Sequence, residues 1–90
     1  MSWSTTKLGT KNEVRKQIEE DLDRCAANYK DQEEEKDVLA AKERALSAID
    51  ELNAGPNYNG VQVTANGSRS SYGMTMSVQV QAMQLQLPAS

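Results

Sequence analysis

The sequence predicts an α+β protein: a short N-terminal strand or arm, one long amphipathic helix, and a C-terminal antiparallel β-hairpin. Three observations predict it. Residues 11–53 contain neither Gly nor Pro and are dominated by Glu, Lys, Ala, Leu, Arg and Gln, all good helix formers. Beyond Pro56 the apolar residues alternate with polar ones, as in half-buried strands. Before Gly9 the stretch Ser2–Leu8 carries Thr5, Thr6 and the single Trp, which suit a pleated surface. The expected organisation is a single domain with an arm over 1–9, the helix over 10–54, and the hairpin with its tail over 57–87.

Thr10 followed three residues later by Glu13 reads as a capping box that opens the helix. An unbroken helix from there to Asn53 would be about 65 Å long, at roughly 1.5 Å per residue. Its apolar residues fall into two stripes. Val14, Ile18, Leu22, Cys25 and Tyr29 lie within about 80° of arc. Val38, Leu39, Ala45, Leu46 and Ile49 form the second stripe, displaced by about 120°, roughly half of which supercoiling would account for. The remainder implies a bend, a change of packing partner, or two helices with a break. The break candidate is the acidic run Asp31–Asp37, which separates the stripes and otherwise reads as a solvated turn. Asn53, Ala54, Gly55 and Pro56 form an explicit helix stop.

The residues Asn57 to Gly60 read as a turn. Val61, Val63 and Ala65 then alternate with Gln62 and Thr64, and Asn66-Gly67 reads as a hairpin turn extended by Ser68, Arg69, Ser70 and Ser71. In the next strand Tyr72, Met74, Met76, Val78, Val80 and Ala82 share one face. At Ala82-Met83 the phase slips, and Met83, Leu85 and Leu87 continue with the other parity. A β-bulge would explain the slip, as would a tail that docks elsewhere or on a neighbouring chain.

Ninety residues with 38% apolar content, four aromatics and one cysteine make a small core with no intrachain disulfide. Association is the remaining way to enlarge it. A helix far longer than the sheet would also project and need another chain. A homo-oligomer is therefore expected, with Val14, Ile18, Leu22, Tyr29, Leu39, Leu46, Ile49, Met83, Leu85 and Leu87 as interface candidates. The net charge of −3, from 10 basic and 13 acidic residues, argues against a nucleic-acid partner. No run approaches the roughly 20 apolar residues of a membrane-spanning helix.

The chemistry expected of an enzyme is missing. There is no His, so neither a common general base nor a Ser-His or Cys-His pair can be built. Cys25 lies on the apolar stripe and reads as a core thiol. No zinc cluster, phosphate loop or dinucleotide fingerprint is present, so no metal and no cofactor are expected. One loop offers an alternative use: Gly67, Ser68, Arg69 and Ser70, with Ser71, combine a flexible glycine, hydroxyls and a guanidinium. Several copies around an oligomer could surround a phosphate-bearing small molecule. The glutamines at 62, 79, 81, 84 and 86 give an uncharged sheet face that tolerates edge pairing.

Met1-Ser2-Trp3 with Gly9-Thr10-Lys11, the helix end near Ala45 to Leu52, and Val61 to Ser68 followed by Met76-Ser77-Val78-Gln79-Val80 together resemble a set of short phage-encoded proteins. The resemblance implies phage origin and the strand, helix, hairpin layout; it implies no activity. The expected function is a non-enzymatic, oligomeric structural or assembly component of a virion, located in the particle or the host cytoplasm. Other virion proteins or a host protein are the further expected partners. The alternative is an oligomeric accessory protein that binds a host factor or sequesters a nucleotide signal.

Overall fold

A computed structural model of the chain describes residues 2–52 and 58–85. The order is β1 (Ser2–Gly9), α1 (Lys11–Asn28), α2 (Glu33–Glu51), β2 (Gly60–Ser70) and β3 (Gly73–Met83). The strands form one antiparallel sheet in the order β1-β2-β3. The two helices run antiparallel to each other and pack side by side on one face, α1 across β1 and β2, α2 across β2 and β3.

The expectation of one long helix is therefore corrected: there are two, joined by a turn over Tyr29–Gln32. Asp31 takes a left-handed backbone, φ 65°, which a short polar side chain tolerates better than a branched one. The break falls at the start of the acidic run: Asp31 and Gln32 lie in the turn, and residues 33–37 open α2. Glu33, Glu34 and Glu35 occupy the first turn of α2, where carboxylates favour the positive end of the helix dipole. The two stripes differ in phase because they belong to two helices that cover one sheet. Folding back also removes the mismatch in length. A 19-residue α2 spans about 28 Å, and an 11-residue strand about 36 Å. Neither described helix is longer than β2 or β3, so helix length no longer calls for a second chain.

Several local readings agree with the structure. Thr10 caps α1, its hydroxyl accepting from the Glu13 amide at 3.3 Å. Residues 2–9 form a true strand, and Met74, Met76, Val78, Val80 and Ala82 share the half-buried face of β3. The stop at Asn53–Pro56 lies outside the described residues. Two β readings are corrected. Asn66 and Gly67 are not a turn but the interior of β2; the chain reverses at Ser71 and Tyr72 instead. Pairing of β2 with β3 is continuous from Ser70–Gly73 to Gly60–Met83, without a bulge. The phase slip at Met83 marks a change of face. Met83 and Leu85 belong to the outer side, where Leu85 sits on Gly60, close enough that a Cβ there would meet its side chain at 2.5 Å. Asn59 holds the Leu85 backbone from both sides, its Oδ1 accepting from the amide at 2.6 Å and its Nδ2 donating to the carbonyl at 3.3 Å.

The core lies between helices and sheet. Val14, Ile18 and Leu22 from α1, and Val38, Ala41, Ala45 and Ile49 from α2, meet Val61, Val63 and Ala65 of β2. Trp3 fills the β1 end of this layer over Gly67, its direct cross-strand partner. Ion pairs tie the helices along their seam: Arg15 donates to Asp50 at 2.9 Å and Lys42 to Asp23 at 2.7 Å. Lys11 Nζ donates to the carbonyls of Asp50 and Leu52 at the end of α2, where a cation also meets the negative pole of the helix.

Candidate interaction surface

The sequence-based interface candidates separate into three groups. Val14, Ile18, Leu22 and Ile49 are fully buried in the chain's own core and are closed to any partner; that part of the expectation is corrected. They were spaced correctly for an apolar face, but the face belongs to the sheet beneath them. Tyr29 and Leu46 are half-buried against the same core, and the Tyr29 hydroxyl donates to the Ser2 carbonyl at 3.3 Å. Leu39 remains 40% exposed, and Met83 and Leu85 lie half-buried at one end of the outer sheet face. Leu87 lies outside the described residues.

The loop expected to bind a phosphate-bearing molecule is not a loop. Gly67, Ser68, Arg69 and Ser70 are strand residues of β2. Gly67 is covered by the Trp3 ring. Arg69 is held from both sides by α2: Nη2 lies 3.1 Å from Glu33 Oε2, and Nη1 donates to Glu34 Oε1 at 3.2 Å. Glu34 is 1% exposed, and its Oε2 has no hydrogen-bond partner among the described residues. The sequence showed Glu34 only as one carboxylate in a solvated run. Its burial depends on the turn at Asp31, which swings the start of α2 over the hairpin tip.

Among the described residues the sheet has two free edges, and they differ. The edge at β1 is guarded by charge. Thr5 and Lys7 take the inward positions next to Trp3, and both contact Asp21 of α1: Lys7 Nζ at 2.9 Å and the Thr5 hydroxyl, which donates, at 3.0 Å. Arg24 adds a third contact at 3.2 Å. The Lys7 ammonium holds the Asp21 carboxyl below the usual carboxylate range, against a smaller opposing effect of burial, and the Thr5 and Arg24 contacts act with Lys7. Inward-pointing charge of this kind discourages another strand from pairing. Burial, with the nearby Asp21 charge, raises the Cys25 thiol behind this edge.

The edge at β3 carries no such guard. Its eleven residues, Gly73–Met83, include no charged residue and no Pro. Its inward Met76, Val78 and Val80 stay half-buried, whereas their β2 partners Gly67, Ala65 and Val63 are buried. Because α2 packs across both β2 and β3, its axis lies inside the line of β3 and leaves that strand's outer flank open.

The outer face of the sheet is hydroxyl- and amide-rich. Ser4, Thr6, Thr64, Asn66, Ser77 and Gln79 occupy its middle. Cross-strand pairs satisfy part of it: Gln81 donates to Gln62 at 2.8 Å, and the Ser68 and Thr75 hydroxyls lie 3.0 Å apart. A shallow depression between Gln62, Thr64, Gln79 and Gln81 is open to solvent. Among the described residues, no group of three or more His, Cys, Asp or Glu is arranged to hold a metal ion. No helix among them is long and apolar enough to cross a membrane.

Among the described residues these features define a two-layer α+β protein with one open sheet face and one unguarded strand edge. No family model, curated protein or solved structure matches the chain, and nothing in these comparisons bears on a phage origin.

Proposed function

We propose that this chain is a small non-enzymatic protein that works by self-association, as a structural or assembly component of a phage particle. One observation carries the associative part: the 11-residue β3 edge has neither charge nor proline, while the opposite edge is guarded by Lys7 and Asp21. Natural sheets blunt edges that are not meant to pair. The phage context rests on the sequence resemblance alone.

The alternative of nucleotide sequestration through Gly67–Ser70 is weaker on this geometry. Arg69 would have to leave both Glu33 and Glu34 to reach a phosphate, and Glu34 would then be stranded. Light scattering at increasing protein concentration tests the proposal. Association that grows with concentration is expected; a compact monomer throughout the micromolar range contradicts it.

A further inference from the structure

The geometry points to a specific partner for the β3 edge: a second copy of this chain, paired antiparallel along β3 about a two-fold axis. The result is a six-stranded sheet with four helices on one face. This deepens the self-association reading and rests on it.

Three observations place the axis and select the partner. The first is charge. Lys42 and Asp50 of α2 bond to α1, so the opposite flank of the helix lies toward the β3 edge. At about 100° per residue that flank carries Asp37, Arg44 and Ala48. Asp37 and Arg44 form no ion pair among the described residues. They are opposite in sign and two helical turns apart. A two-fold between them sets Asp37 against the partner's Arg44, and Arg44 against the partner's Asp37. The small Ala48 beside them leaves room for the approach.

The second is register. The Glu34–Arg69 contact places the start of α2 level with Arg69, whose β3 partner is Met74. The midpoint of Asp37 and Arg44 lies about 10 Å further along the helix, or about three strand residues. The axis therefore passes near Ser77, one residue from the middle of β3. Helix and strand call for the same axis.

The third is space and area. Paired strands sit about 4.8 Å apart, so an α2 axis half a spacing inside β3 would lie about 9–10 Å from its mate, within the packing distance of helices. An edge about 36 Å long and about 15 Å deep buries about 1,100 Å² in total, at the low end for specific association. The dimer is thus expected to be weak and concentration-dependent.

Charge reversal tests this in the full chain, followed by sedimentation equilibrium. Arg44→Asp and Asp37→Arg should each weaken the dimer by about tenfold or more, and the double variant should restore it. Leu39→Asp lies on the α1 flank of α2 and should leave the dimer intact. Circular dichroism checks that each variant is folded. As an independent readout, single cysteines at Thr75, Ser77 or Gln79 in a Cys25→Ser background should include one that forms an intermolecular disulfide, whereas Thr6→Cys in β1 should form none. A dimer indifferent to both reversals, one not restored by the double variant, or one lost with Leu39→Asp would overturn the β3 pairing while leaving self-association standing. A wild-type monomer would overturn both.

Discussion

Gly67→Ala is expected to destabilise the fold by about 2–3 kcal/mol, although alanine suits a strand better than glycine does. The reason is a single contact. A Cβ at residue 67 would stand 2.6–2.8 Å from three atoms of the Trp3 indole. Those atoms belong to the rigid ring and cannot swing aside like the tip of a long side chain. Trp3 is 8% exposed and closes the core at the β1 end. Either the ring leaves its seat or the β1–β2 pairing shifts, and both lose buried area. Trp3→Ala alone should cost about 3 kcal/mol or more by the cavity it leaves. In that background Gly67→Ala should cost less than about 0.5 kcal/mol, because nothing remains to collide with. Urea denaturation followed by far-ultraviolet circular dichroism reads all four corners of the cycle. Equal costs in both backgrounds would show that the ring is not the cause.

Arg69→Met is the second large effect, expected at about 2 kcal/mol. The substitution leaves Glu34 buried with neither carboxylate oxygen bonded, since Oε2 already lacks a partner among the described residues. Breaking one side of a buried ion pair costs about 3–5 kcal/mol, but two features reduce it here. Arg69 is 49% exposed, so its charge is screened. Glu34 also lies in the first turn of α2, where the helix dipole favours a carboxylate. Removing both partners, with Glu34→Leu and Arg69→Met, should recover most of the loss, because an apolar pair demands no hydrogen bonds. If the double variant were no more stable than Arg69→Met, the stranded carboxylate would not be the source of the effect.

The elements that the sequence showed well are those governed by local chemistry. The Thr10 cap, the first strand, and the alternating face of β3 all depend on residues close in the chain. What it hid depends on tertiary placement. The two stripes recorded the break, yet an acidic run reads equally well as a solvated turn within one helix and as the first turn of a new one. The choice was made at Asp31, whose left-handed conformation leaves no periodic trace. Asn66-Gly67 carries a strong hairpin signal, but Gly67 is needed for a different reason, the close approach of Trp3 from a strand at the other end of the chain. The true reversal at Ser71-Tyr72 rests on Gly73, which takes φ 123° just beyond it.

The candidate surface shows the same division. Apolar spacing found faces correctly but could not say what covers them. Val14, Ile18, Leu22 and Ile49 are consumed by the fold, and Leu39 is left outside. The contrast between the edges was present in the residues, as Lys7 in one strand and no charge in Gly73–Met83. It acquired meaning only once strand order made β1 and β3 the two edges.

Hydrogen exchange resolved along the chain, at low and at high protein concentration, is the decisive experiment for association through the open edge. In an edge strand about half of the backbone amides point away from the neighbouring strand and exchange readily. If copies of the chain pair through β3, protection of Gly73–Met83 rises with concentration while that of Ser2–Gly9 does not change. Exchange independent of concentration in both edges, or protection gained at β1 instead, would contradict pairing through β3.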